Sequence, residues 1–384
     1  MSGIRVDQIA LARLHHYKSR KAGAGVIVCL AIMIALSPHV SGLTHRVFDV
    51  DSLLGQQEIE DVALDEGGSA YFLTGFWDPA SQWPRDRCTD RRHSLLRYDP
   101  LADSFTTVYS DFPYVAKILV DRRHHLWTIR NGTVYKYMGR SPTTVLESPA
   151  GRHVFNDMAL DHEGCIWVAG EAHLCRIDTA GVVTDFSDRM ESIPEASLGP
   201  LHVATNGDVW IGVEGGRRDA RIFALQIHQS EWTFYPLRSS DAQIGRVLSI
   251  TSTADGRVWL SVENFLGPGR LLCFGDGEWS EVKVPLLYDA PVMRPKSFPN
   301  RTCAQKLVSE GNRVWAVMDP NTGLPVARLM TFDPSDSVWA DSQFLKRDAC
   351  VKTISGGQAQ GQIWVAEWPC PYIQPGRLHR FVLD

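Results

Sequence analysis

Five carboxylates are spaced as if to serve one site. Glu171, Glu214, Glu263 and Asp319 each lie four residues after a tryptophan (Trp167, Trp210, Trp259, Trp315), and Glu367 lies three after Trp364. Acids gathered around one axis repel one another, which raises their pKa values and favours a cation between them. The chemistry open to such a ring is capture of a divalent cation or of a basic ligand. Calcium would ask for six to eight oxygens at about 2.3–2.6 Å, and magnesium for six at about 2.0–2.1 Å. The competing reading is a rim of solvated strand-end acids that never meet. Glu367 is one residue out of register and is the member expected to point elsewhere.

A second concentration of chemistry-bearing residues lies between Phe76 and His93. It holds Trp77, Trp83 and Arg85, followed by Asp86, Arg87 and Cys88. Trp and Arg are enriched where binding energy is concentrated, so this stretch is a candidate surface for a small ligand or a protein partner. Its alternative is a cap over a seam of the fold. The histidines are scattered, and His153, His173 and His202 are those whose positions bring them toward the acids' face. The chain contains no His-Glu-x-x-His helix, phosphate-binding glycine loop, nucleophile elbow or Cys-x-x-Cys pair.

These residues are positioned by a repeat. Asp161-His162-Glu163-Gly164-Cys165-Ile166-Trp167-Val168-Ala169-Gly170-Glu171 reads as a strand end, a glycine turn and a Trp-bearing strand. The unit recurs around Trp210, Trp259 and Trp315, in weaker form around Trp127 and Trp364, and with Tyr71 in the aromatic slot. Successive anchors are separated by 56, 40, 43, 49, 56 and 49 residues. Four-stranded propeller blades repeat at about 40–50 residues, with loops accounting for the longer gaps. A single blade cannot bury both of its faces. A Trp on the second strand fills the wedge toward the next blade and buries about 150–250 Å². The expected fold is therefore all-β, a seven-bladed β-propeller of four-stranded blades over residues 43–384.

The last blade predicts how the ring closes. Gly376–Leu383 is its third strand, and no fourth follows it. Thr44–Val50 has no partner in blade 1. Pairing the two as strands three and four of blade 7 removes an exposed edge.

Residues 1–42 stand apart. Five basic residues lead into an apolar run, 22–36, which ends in Ser37, Pro38 and the small pair Ser41-Gly42. Basic flank, short apolar run and small-residue end describe a secretory signal. Left uncleaved, the run would be a membrane anchor, the one contact with a membrane that the sequence offers. Either way the remainder is expected to be periplasmic or extracellular. That remainder carries 34 basic and 43 acidic residues, a formal charge of −9, which argues against a nucleic-acid partner. It holds seven cysteines, and export permits disulfides. Cys88 and Cys370 lie in corresponding loops of blades 1 and 7, neighbours once the ring closes. Cys303 and Cys350, at the starts of blades 6 and 7, form a second candidate pair.

The Asp-x-x-Gly-x-hydrophobic-Trp-hydrophobic copies resemble the repeats of two-component-regulator-type periplasmic propellers. They are also similar to streptogramin lyase, whose blades read Asp-Gly-x-hydrophobic-Trp-Phe-x-Glu. The first resemblance implies a sensor-like binding domain. Such sensors continue into a membrane helix and a kinase, so a sequence stopping at Asp384 carries the expectation of no signalling output. The second implies a lyase using a His and Glu constellation with magnesium. Here the acid falls one residue later than in that pattern, and no His stands beside it, so the catalytic residues do not transfer. The function expected is binding of a small ligand or protein partner on the face of the strand-two/strand-three loops. A metal-assisted lyase or hydrolase stands second.

Overall fold

A computed structural model describes residues 43–383. Outside the described residues lie 1–42, 384 and the connecting segments 50–56, 77–92, 113–114, 140, 148–153, 191–196, 215–221, 238–243, 265–268, 286–302, 320–327, 342–349, 358–360 and 369–376. Seven sheets of four antiparallel strands follow one another. Blade 1 is β2 (Gln57–Leu64), β3 (Ala70–Phe76), β4 (His93–Asp99) and β5 (Ser104–Phe112). Blade 2 is β6 (Lys117–Val120), β7 (Leu126–Arg130), β8 (Thr133–Tyr137) and β9 (Pro142–Leu146). Blade 3 is β10 (Phe155–Leu160), β11 (Ile166–Gly170), β12 (Leu174–Ile177) and β13 (Val183–Asp185). Blade 4 is β14 (Ser197–Val203), β15 (Val209–Glu214), β16 (Ile222–His228) and β17 (Glu231–Pro236). Blade 5 is β18 (Ile244–Ser252), β19 (Val258–Asn264), β20 (Arg270–Gly275) and β21 (Glu278–Val282). Blade 6 is β22 (Cys303–Glu310), β23 (Arg313–Asp319), β24 (Arg328–Asp333) and β25 (Val338–Asp341). Blade 7 is β26 (Cys350–Gly357), β27 (Gln362–Trp368), β28 (Arg377–Leu383) and, from the other end of the described chain, β1 (Leu43–Asp49).

The closing pair is the one the sequence predicts. Thr44 lies opposite Val382 and Asp49 opposite Arg377. His45 stacks on Phe381 across the pair, with ring centroids 4.5 Å apart.

The seven anchors do the packing expected of them. Each is buried, and each belongs to an apolar cluster shared with the following blade. Tyr71 packs on Ile118 and Val120, Trp127 on Met158 and Val168, and Trp167 on Leu198 and Ile211. Trp210 meets Val247 and Ile250, Trp259 meets Leu307 and Ala316, and Trp315 meets Ile354 and Val365. Trp364 closes the circle on Val62 and Phe72. At about 25 cal/mol per Å², each buried indole contributes roughly 4–6 kcal/mol before entropy is counted. In blades 1, 2, 3 and 7 the third-strand residue opposite the anchor is a cation lying over its ring: Arg97, Lys136, Arg176 and Arg380.

The turn before each anchor explains the repeated Asp. In blade 3, Asp161 Oδ1 accepts the backbone N–H groups of Glu163 and Cys165 at 2.9 and 2.8 Å. Its Oδ2 accepts the Trp167 indole N–H at 3.1 Å. One buried carboxylate thus shapes the turn and fixes the wedge. Asp121 does the same for Trp127, and Thr253 holds the Trp259 indole through its hydroxyl. The turn glycines Gly68, Gly164, Gly207 and Gly256 have φ between 80° and 90°, a left-handed conformation that a Cβ disfavours.

Candidate functional site: the axial channel

Residues of all seven inner strands surround a cavity of about 650 Å³. Its wall is polar because of a repeated irregularity. In six blades the inner strand carries a β-bulge against the second strand, between Ile59 and Asp61, Phe155 and Asp157, and at equivalent places in blades 4 to 7. A bulge twists the strand and re-aims a side chain.

Residues at these bulges, with Lys117 from the regular strand β6, form a belt that links blades. Asp61 accepts the N–H of Ile118 in blade 2 at 3.0 Å, and Asp157 accepts that of Leu201 in blade 4 at 2.8 Å. Ser249 accepts that of Leu307 in blade 6 at 2.9 Å. Lys117 Nζ lies between Asp61 and Asp157 at 3.9 and 3.7 Å, and the Asp61 charge first of all holds its ammonium well above the usual lysine range. Lys306 donates to Thr353 in blade 7 at 3.3 Å. This belt was not foreseen. Asp61, Lys117, Asp157 and Ser249 each lie ten residues before their anchor, so a spacing was there to be read. The four side chains share polarity but not type, so composition does not mark the spacing.

The five acids have separate fates. Glu214, at the end of β15, lines the channel half-buried. Burial pushes its carboxyl up to about 7; Glu263 adds to the rise and Arg246 opposes it. Glu263, on β19 of the next blade, accepts a hydrogen bond from Arg246 Nε at 3.0 Å. Arg246 lines the channel beside Glu214, with its side chain 56 % exposed. Glu367 turns to the buried His379, with Oε1 and Nε2 3.2 Å apart. His379 in turn meets His45 of the closing strand at 3.0 Å. Glu171 falls one residue beyond the end of β11 and is exposed, bridged to Ser197 through its backbone. Asp319 ends β23, and its side chain lies outside the described residues. The structure therefore brings Glu214 and Glu263 together around Arg246 and sends Glu171 and Glu367 elsewhere.

A shared divalent cation does not fit this arrangement. Glu263 is paired with the Arg246 guanidinium, and Glu367 is turned to the His379 ring 3.2 Å away. Among the described residues, three potential metal ligands come within 4.8 Å of one another only at Asp161, Glu163 and Cys165. There Asp161 is already taken up by backbone and indole N–H groups and by Arg176, which also binds Glu163. Burial pushes the Cys165 thiol up, away from the thiolate a metal needs.

Trp77, Trp83, Arg85, Cys88 and Cys370 lie outside the described residues, as does the side chain of Cys350; Cys303 is buried at the start of β22. His202 sits at the far end of the inner strand from Glu214. Its Nε2 meets Ser252 Oγ at 2.9 Å, and burial lowers its pKa to about 4. His173, near the acids' level, bonds Ser187 at 3.1 Å.

No known family model and no curated protein matches the sequence. Solved structures share the fold. A virginiamycin B lyase from Staphylococcus aureus, in a structure with quinupristin, superposes with a TM-score of 0.58 at 12 % identity, over 89 % of this chain and 100 % of that one. The extracellular domain of a one-component system from B. thetaiotaomicron gives 0.55 at 14 % identity, over 84 % of this chain and 38 % of that one. A surface component of the type-IX secretion system of Porphyromonas gingivalis gives 0.54 at 11 % identity, over 84 % and 46 %. The chain spans less than half the length of the latter two. The expected resemblance to streptogramin-lyase-like and sensor-type propellers holds at the level of fold.

Proposed function

We propose that this is an exported propeller that binds a small polar ligand in its axial channel, at the mouth where the strand-two/strand-three loops gather. The observation that carries the reading is a cavity of about 650 Å³ into which Glu214 and Arg246 present charged groups from neighbouring blades. Pockets of about 300–1,000 Å³ with a few convergent polar groups are the usual form of a small-molecule site. Asp61, Lys117, Asp157 and Ser249 are tied up in the belt, whereas Glu214 and Arg246 stand at the mouth with capacity for a ligand. Export is supported by the basic, apolar and small-residue order of residues 1–42, and by the fold's use in the extracellular domain and surface component named above.

The test is a thermal-shift screen of the full chain against sugars, amino acids, amines and organic acids, with calorimetry on any hit. Binding lost in Arg246→Ala and kept in Arg123→Ala, on the opposite face, would support the channel. Hits indifferent to both changes would move the site to the 77–92 insertion or to a protein-binding face.

One observation favours a catalytic second reading. A carboxyl poised near pH 7, as Glu214 is, suits general acid–base work. Turnover of a bound compound, abolished by Glu214→Gln with affinity retained, would establish a lyase or hydrolase instead.

A further inference from the structure

We propose that the ligand is a small zwitterion of the amino-acid class, with its carboxylate on Arg246 and its ammonium on Glu214. The inference rests on the channel being the ligand site and goes on to specify what the site takes.

The argument is a census of the charges in the channel wall. Lys117 is held by Asp61 and Asp157, both of which also accept backbone N–H groups. Lys306 is bonded to Thr353, and Glu60 lies 3.7 Å from the buried His93. Two further side chains, of opposite sign, have capacity to spare. Among the described residues Arg246 commits only its Nε, to Glu263, which leaves the two terminal amino groups of the guanidinium. The Glu214 carboxyl has no hydrogen-bond partner among the described residues, and the residue is only half-buried, on the channel wall.

Those two groups have opposite sign and sit on adjacent blades at one mouth. A guanidinium presents paired donors that match a carboxylate, which gives orientation as well as attraction. A carboxyl that burial keeps partly protonated gains most from a cation, because the cation restores its charged form. A ligand with only an anionic group would meet Arg246 but be repelled by Glu214 and Glu263. One with only a cation would compete with Arg246 for the same acids. A molecule carrying both leaves the net charge of the mouth unchanged and gives each free group a partner. An uncharged sugar would leave both without one.

The experiment compares L-leucine with leucinamide, which lacks the carboxylate, and with 4-methylpentanoate, which lacks the amine. L-serine and L-glutamine report on side-chain tolerance, and glucose serves as a neutral probe. Calorimetry on the full chain should show an amino acid binding at least tenfold more tightly than either truncated analogue. Arg246→Gln should abolish the preference over the amide, and Glu214→Gln the preference over the acid. Arg246→Lys, which keeps the charge and loses the fork, should fall between wild type and Arg246→Gln. Melting curves of each variant confirm that it is folded. Binding of glucose or of a singly charged analogue that is stronger than any amino acid and is lost in Arg246→Gln would overturn the zwitterion while leaving the channel intact. Absence of any ligand sensitive to the two channel residues would overturn both.

Discussion

Asp161 offers the sharpest test of how the repeat works. Asp161 is 7 % exposed, and its carboxylate accepts four hydrogen bonds, from Glu163 N, Cys165 N, Trp167 Nε1 and Arg176 Nε. In Asp161→Ala, Arg176 keeps Glu163 as a partner. The Cys165 amide and the Trp167 indole are left buried without an acceptor. Stranding a buried donor costs about 1–3 kcal/mol, so the pair should cost about 3–4 kcal/mol. A melting temperature moves by about 2–4 °C per kcal/mol in domains of 150–250 residues and by about 1.4 °C in one of about 340, so a fall on the order of 4–6 °C is expected. Asp178→Ala is the control. Asp178 caps a turn in the same blade by accepting the Ala180 and Val182 amides at 2.9 and 2.8 Å, but in solvent. Its loss should cost under about 1 kcal/mol, because water replaces it. Blade 4 shows that the acid refines the fold rather than permits it, since Ala204 stands in its place and the Trp210 indole N–H is buried with no partner among the described residues. The assay is urea unfolding followed by tryptophan fluorescence on the two variants in parallel. Equal losses at Asp161 and Asp178 would refute the claim that burial of the acceptor is what matters.

Three further outcomes follow from the closing blade, from His45 and His202, and from Glu214. Deleting residues 43–50 removes β1 and bares the edge of β28, so the melting temperature should fall markedly and aggregation should increase; an unchanged melting curve would mean that the pairing contributes nothing. His45 and His202 have folded pKa values of about 4, each lowered chiefly by burial, against about 6.5 unfolded. The unfolded chain binds more protons between those values, so these two groups make stability fall as pH drops from about 6.5 toward 4. Glu214 acts in the opposite sense, since its raised carboxyl costs stability as pH rises from about 4.5 to 7. His45→Gln with His202→Gln should therefore flatten the acid side of a plot of urea midpoint against pH, and Glu214→Gln should raise the midpoint at pH 8 more than at pH 5. An acid slope unchanged in the double His variant would show that other groups set it.

The fold was legible because one slot, filled by Trp in six blades and by Tyr in blade 1, carries it. An indole at blade spacing has few other uses, and every anchor from Tyr71 to Trp364 packs on the blade that follows. The site was legible only where strands stay regular to their ends. Glu214 and Glu263 are strand residues of adjacent blades and meet around Arg246. Glu171 has the same spacing but falls past the end of β11, so its direction is no longer set by the pleat. Glu367 finds an imidazole 3.2 Å away, a partner contributed by β28 that no count along β27 could reveal. The belt shares a spacing from the anchors but no single residue type, and the direction of Arg246, Asp61, Asp157 and Ser249 depends on bulges, which slip the register and leave no mark on composition.

Ring closure also sets an order in time. His45 and His379 touch although 334 residues separate them, and β1 is made before every other described strand. At about 5–20 residues per second, β1 leaves the ribosome roughly 17–70 s before the strand it pairs with. Through that interval six blades can assemble while their clasp waits open. Leu43-Thr44-His45-Arg46-Val47-Phe48-Asp49 suits the wait, since its polar and charged side chains discourage pairing with a stranger. The bonds between β1 and β28 are those that turn a stack of blades into a ring, and a mouth bounded by seven blades exists only once they have formed.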